Sequence, residues 1–302
     1  MKLDIKNETN QLFSVILGVA NDFGFQPTPE NCIDPKTKHF VLNNSFPSER
    51  DCIKEVESFN DVLLKYEVEV IRPKNIEGLN QIFTRDVGFV IKNKFFKSNT
   101  ISERKQEKDG INNCLKKINK SDIVEVPEDI RVEGGDVLVD NDFIFIGTSN
   151  VKDTKLKVSR TNEKSVDFIK EVFPNKSVLG LELYKNDNNP FDNILHLDCT
   201  MQPIGNGKII IFKNGIRKDS DKELIKEIYG AENCIEISRE EMYEGYSNIF
   251  SINSNTIVSD KTFVRLNNKL SDLGFKVEEV YYREVSKFGG LFRCSTLPLY
   301  RK

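Results

Sequence analysis

Residues 143–183 read FIFIGTSNVKDTKLKVSRTNEKSVDFIKEVFPNKSVLGLEL. The opening run from Phe143 is built of β-branched and aromatic side chains over the length of a strand. After a polar link, Val166, Ile169, Val172 and Phe173 recur at helical spacing. The run from Ser177 to Leu183 then reads as a second strand. A unit of this kind has too little apolar surface of its own to cover its sheet, so it implies neighbours of the same type.

Those neighbours are present. Runs resembling SVLGLEL occur as YEVEVI from Tyr66, DIVEVP from Asp122, NCIEIS from Asn233 and FKVEEVYY from Phe275. The first four of the five begin at 66, 122, 177 and 233, which are 56, 55 and 56 residues apart, and the last step is 42. Ahead of each lies another β-rich strip: HFVLN from His39, VGFVIK from Val87, FIFIG from Phe143, KIIIF from Lys208 and NTIVS from Asn255. Pro47-Ser48 opens a helix with Val56, Phe59 and Leu63 along one face. Ser220 opens another with Leu224, Ile225 and Ile228, and Gly230 stops it. Each unit thus reads strand, strand, helix, strand. The expected fold is α/β, a five-bladed pseudo-symmetric α/β propeller of repeated ββαβ units. Spacing alone also permits an ordinary α/β or α+β domain with evenly placed elements. The expected organisation is a single domain over residues 36–302, with residues 1–35 as an N-terminal leader packing on or beside it.

Composition narrows the function classes. The chain has 302 residues, and 44 Lys+Arg against 47 Asp+Glu give a net charge of −3. That balance disfavours a nonspecific hold on nucleic acid or an anionic membrane. Apolar runs such as Ile209 to Phe212 are too short to span a bilayer, and MKLDIKNETNQLF lacks the apolar stretch of a signal peptide. A cytoplasmic location is expected. Cys32, Cys52, Cys114, Cys199, Cys234 and Cys294 form no CxxC pair and read as reduced, mostly buried thiols. Histidine occurs only at 39 and 196, which rules out a zinc site of closely spaced histidines.

Four motifs can carry chemistry. In Gly289-Gly290-Leu291-Phe292-Arg293-Cys294-Ser295-Thr296, two glycines allow close backbone approach and Cys294 follows as a candidate nucleophile. Leu195-His196-Leu197-Asp198-Cys199, read as an extended strand, puts His196 and Asp198 on one face and Cys199 on the other. Arg131-Val132-Glu133-Gly134-Gly135-Asp136 sets two carboxylates about a glycine turn, and Phe83-Thr84-Arg85-Asp86 places a charged pair at the mouth of a strand. Taken singly, each could equally be an inert thiol, a half-exposed strand, a loop or a surface ion pair.

Together, in this order and in four of the five units, FTRD, EGGD, HLD and GGxxRCST resemble the guanidine-modifying (pentein) superfamily of arginine deiminases, dimethylarginine hydrolases and amidinotransferases. The resemblance runs from about residue 36 to the end and implies the same five-bladed propeller. It implies that Cys294 attacks a guanidinium carbon as a thiolate and forms a covalent thiouronium. His196 then protonates the leaving amine and afterwards activates water. Asp86 and Asp198, joined by Glu133, are implied to hold the guanidinium N–H groups. Asp136 is assigned a structural role at the Gly-Gly turn. Arg104 and Arg160 resemble positions that grip a substrate α-carboxylate, although NVKDTKLKV before Arg160 is an insertion relative to the family pattern. That insertion either disturbs the clamp or forms part of a lid.

The expected activity is a hydrolase cleaving a guanidino C–N bond of arginine or an N-substituted arginine. The alternatives are an amidinotransferase that passes the amidino group to an amine, and a non-catalytic propeller that binds a guanidino ligand. No metal and no organic cofactor is expected. The expected partner is a small-molecule guanidino substrate, without nucleic acid or membrane, and a homodimer is compatible with the sequence.

Overall fold

Strand pairing follows one rule in every repeat: a central strand lies antiparallel to the strand before it and parallel to the strand after the helix. In the computed structural model, which describes residues 1–302, this rule produces five three-stranded sheets. Gly88–Ile91, Lys94–Lys97 and Ile123–Glu125 form one. Val137–Asp140, Phe143–Ser149 and Ser177–Leu183 form the next. Met201–Gly205, Lys208–Ile211 and Cys234–Glu236 follow, then Phe250–Asn253, Thr256–Asp260 and Lys276–Val280. The fifth sheet joins Thr296–Arg301 and Glu69–Ile71 on either side of Leu12–Leu17. The fold is the five-bladed α/β propeller expected from the repeat.

Two expectations about the beginning of the chain are corrected. HFVLN is no strand: it lies in the helix Pro35–Leu42, whose N-cap Asp34 accepts from Thr37 N–H at 2.8 Å, with Pro35 in the first turn. The strand of this unit is instead LFSVIL, within the stretch expected to be a leader. Leu12–Leu17 is the middle strand of its sheet, and without it both Thr296–Arg301 and Glu69–Ile71 would lose their partner. Residues before it are also built in, since Asp4, Ile5 and Asn7 bridge to Tyr300, Lys92 and Asp140 of three different blades. A smaller difference falls in the second unit, where VGFVIK is the first strand and Lys94–Lys97 the central one.

Helices Glu49–Lys65, Lys164–Val172, Asp219–Tyr229 and Val264–Asp272 cover the blades; in the unit beginning at Gly88 a 3₁₀ stretch, Ser102–Ile111, takes part of that place. Glu49–Lys65 bears directly on the site. Its fully buried Phe59 meets Phe250, Tyr282 and Phe292 edge-on at ring distances of 5.9, 6.0 and 5.1 Å. Such burial stabilises by about 1.5–3 kcal/mol per phenylalanine, and here it fixes the segment that carries Cys294.

Candidate active site

Asp86, Glu133, His196, Asp198 and Cys294 each hang from the segment that precedes the first strand of a blade. Asp86 lies in the helical turn Thr84–Val87, and Glu133 stands just before the turn Gly134–Asp136. His196 and Asp198 flank the start of the turn Leu197–Cys199, and Cys294 lies just before Thr296–Arg301. His196-Leu197-Asp198 is therefore a turn, not the extended strand expected. Asp136 Oδ1 accepts the Leu197 N–H at 2.9 Å and folds this segment against the Gly-Gly turn, which agrees with its expected structural part. Gly135 makes the approach possible, because a Cβ there would stand 2.7 Å from His196 Cγ and 2.9 Å from Asp86 Oδ1.

The turns meet at a cavity of about 320 Å³ lined by Asp86, Arg104, Arg160, His196 and Cys294. Glu133 and Asp198 lie behind this lining and are fully buried. Phe23, Phe46 and Phe288 pack edge-on to one another at its wall, and exposed Phe25 stands at the rim. His196 Nε2 lies 2.9 Å from Glu133 Oε2, and its Nδ1 lies 3.7 Å from Asp86 Oδ1. Cys294 Sγ lies 3.6 Å from Asp198 Oδ2.

Arg104 and Arg160 are drawn into the same centre. Arg104 Nη1 donates to Asp86 Oδ2 at 2.7 Å and to Glu133 Oε2 at 3.1 Å, while its Nε and Nη2 hold Glu107. Arg160 Nη1 donates to Glu133 Oε2 at 3.1 Å, Nε to Lys157 O and Nη2 to Ile33 O. The insertion before Arg160 forms part of the cavity's surround: Lys157 Nζ donates to the carbonyls of Glu30 and Cys32, beside the lining residues Asn31 and Ile33.

The pKa of His196 and that of Cys294 are both raised. Burial opposes an imidazolium at His196, but Asp86 and the Glu133 hydrogen bond outweigh it and raise its pKa above the ordinary value. Burial also opposes the charged form of Glu133, yet Arg160, Arg104 and His196 hold its carboxyl well below the usual range. The Cys294 thiol is pushed well up, first by burial and then by Asp198 and Asp86. Both shifts favour the protonated form, the neutral thiol at Cys294 and the imidazolium at His196.

Residues 21–301 match the family described as “N,N dimethylarginine dimethylhydrolase, eukaryotic”. The chain belongs to that family. It thereby belongs to the guanidine-modifying superfamily whose motifs it carries. The uncharacterized protein YkgA of Bacillus subtilis (strain 168) is 30% identical over 285 residues, 91% of this chain and 88% of that protein. Among solved structures, the N-terminal domain of ArgZ, an arginine dihydrolase from the ornithine-ammonia cycle in Cyanobacteria, aligns with a TM-score of 0.79 at 19% identity. The alignment covers 97% of this chain and 98% of that one. SxtG, an amidinotransferase from Microseira wollei, aligns with a TM-score of 0.77 at 18% identity over 99% and 97% of the two chains. At this identity the two structures speak for the fold alone.

Asp86, Glu133 and His196 also form a cluster with metal-ligating atoms within 4.8 Å of one another. Both carboxylates already carry guanidinium partners from Arg104 and Arg160. Sequence reasoning missed three further groups. Glu107 neutralises Arg104, Arg293 Nη1 donates to Asp198 Oδ2 at 2.8 Å, and Asn248 Nδ2 donates to Cys294 Sγ at 3.1 Å. Only Arg293 stood inside a quoted motif.

Proposed function

We propose that the protein is a hydrolase that cleaves a guanidino C–N bond of arginine or an N-substituted arginine, of the arginine deiminase or dimethylargininase type. The observation that carries the reading is Asp86 Oδ1, a buried oxygen without a hydrogen-bond partner in the cavity that also holds Cys294 and His196. A substrate guanidinium on Asp86 satisfies that oxygen and sets its carbon before the sulfur. The cation also favours loss of the thiol proton to water. Sγ then adds to the guanidinium carbon, and His196 gives its proton to the departing nitrogen. The C–N bond breaks and leaves an S-amidino enzyme. Water loses a proton to His196 and adds to the same carbon. The C–S bond then breaks as the adduct's hydroxyl gives its proton to water, which releases a ureido product and restores the thiolate. Glu133 holds the imidazole in place through both halves. Phe83, Phe288 and the other apolar wall groups support a leaving amine that carries alkyl groups, as does the family match.

Arg160 has five N–H groups and uses three, so two are left for a substrate carboxylate, with Arg104 beside it. Arg160→Lys is expected to raise KM about 10–100-fold, the loss of roughly 1.5–3 kcal/mol of charged hydrogen bonding, with a smaller change in kcat. Steady-state kinetics check this; an unchanged KM removes the clamp. Six free cysteines and a thiol nucleophile support a reducing, cytoplasmic setting. No helix is long and apolar enough to cross a membrane.

The test is incubation with arginine and with dimethylarginine, assaying ureido product, ammonia and methylamines. Turnover only with an added amine acceptor would convert the reading to an amidinotransferase, and no turnover with either would leave a binding protein. The raised thiol pKa makes a second expectation. In the free protein, alkylation of Cys294 by uncharged iodoacetamide should be slow near neutrality and climb beyond pH 9, because thiolate accumulates only above the raised pKa. A haloacetamidine, which brings its own cation, should label fast near pH 7 and be blocked by an arginine analogue. Equal rates for both reagents at pH 7 would contradict this electrostatic account.

A further inference from the structure

The propeller places four of its five pre-strand turns at the chemistry: those of Asp86, Glu133, His196 with Asp198, and Cys294. The remaining turn precedes Phe250–Asn253 and holds Tyr246-Ser247-Asn248. Asn248 is 1% exposed and its side chain bridges directly to the nucleophile. Its Oδ1 accepts the backbone N–H groups of Leu291 at 2.9 Å and of Cys294 at 3.2 Å, and its Nδ2 donates to Cys294 Sγ at 3.1 Å. The orientation follows from the partners, since a flipped amide would press its NH2 against two backbone donors and leave the sulfur facing an oxygen.

The surroundings of the sulfur give this donor its importance. Asp198 and Asp86 face Cys294 with negative charge, Cys199 follows Asp198 in the same turn, His196 shares the cavity wall, and Arg293 is spent on Asp198 and Glu8. Of the groups acting most strongly on the thiol, Asn248 is the one that favours the thiolate. A neutral amide does so without competing for the acidic residues that a guanidinium needs, as a lysine or arginine at this place would.

We infer that Asn248 is a catalytic residue, resting on the reading of Cys294 as nucleophile: its amide N–H carries the charge on Sγ when the thiolate forms and again when the sulfur is expelled from the second tetrahedral adduct. No bond to Asn248 is made or broken. The hydrogen bond strengthens as charge gathers on sulfur, so it lowers the barrier rather than only binding the resting thiol. Through Oδ1 the same side chain fixes the backbone on which the sulfur is mounted.

The experiment compares Asn248→Asp with the wild type. Aspartate keeps the shape and the acceptor for Leu291 and Cys294 but offers sulfur no donor. Removing one such donor is expected to lower kcat about 10²–10³-fold, with KM changed less. The pH profile of Cys294 alkylation by iodoacetamide, located by mass spectrometry, should move upward by about one unit or more. A folded Asn248→Asp protein with kcat within about threefold of wild type and an unmoved alkylation profile overturns the proposal. Should that variant not fold, Asn248→Ser, which retains a hydroxyl donor, is set against Asn248→Ala, which retains none. A lower-pH alkylation profile and faster turnover in the serine variant support the role, and identical behaviour overturns it. Failure of the underlying reading looks different, because then wild-type Cys294 itself is not labelled by a haloacetamidine and no guanidino substrate turns over.

Discussion

Cys294→Ser is expected to lower kcat for the guanidino substrate by about 10⁴-fold or more, with the melting temperature little changed. The sulfur sits in a place already unfavourable to an anion, buried and faced by Asp198 and Asp86. A thiol can still ionise there when a cation arrives, whereas a serine hydroxyl is too weak an acid, and His196, whose raised pKa favours the imidazolium, is a poor base for it. Little packing is lost, since the substitution exchanges one atom and keeps the Cys294 N–H bonded to Asn248 Oδ1. Product assay under saturating substrate, with thermal melting as the control, measures the effect. Turnover within tenfold of wild type would remove the covalent route altogether.

The second large effect concerns stability. Arg293→Met is expected to cost about 3–5 kcal/mol, the usual penalty for stripping one partner from a buried ionic group. Arg293 is fully buried, and its guanidinium spans Asp198 Oδ2 at 2.8 Å, Glu8 Oε1 at 3.1 Å and Val137 O at 2.8 Å. Without it two carboxylates stay buried, one of them 3.6 Å from Cys294 Sγ. Adding Glu8→Gln to Arg293→Met should return part of the loss, because one of the stranded charges is then gone. The acid limb carries a second signature. Burial would raise the Glu8 pKa, but Arg293 and then Arg85 outweigh it and hold the carboxyl down at about 2, against an ordinary 4.5. A depressed carboxyl stabilises the fold above its unfolded pKa, and that contribution drains away as pH falls from about 4.5 toward 2. The double variant should lack this part of the wild-type decline in urea midpoint. An Arg293→Met protein with an unaltered midpoint at pH 7 would show that the pair is dispensable.

The architecture was legible because its third strands are short β-branched runs, the first four, from YEVEVI to NCIEIS, at nearly constant spacing. The same rule misled at HFVLN, where Asp34 and Pro35 start a helix. The strand it displaced, LFSVIL, pairs with Thr296–Arg301 at the far end of the sequence, and no local pattern reports such a partner. The chemistry was legible where a motif joins charge, glycine and thiol, as in EGGD and GGLFRC. Asn248 was missed because an amide in GYSNIF carries no charge and resembles any polar turn. Its only signal was positional, the same seat before a first strand that the other site residues occupy. Glu8 escaped for a related reason: its arginine partners come from distant turns, and an acidic residue near the start of a chain reads as solvent-exposed.

The sheet that joins Leu12–Leu17 to Thr296–Arg301 bears on when the site is born. Cys294 lies two residues before that closing strand, so it leaves the ribosome after Asp86, Glu133, His196 and Asp198. The strand that follows pairs with Leu12–Leu17, which is made about 280 residues earlier. The fifth sheet therefore closes only with the segment that also brings Cys294 to the other candidate residues.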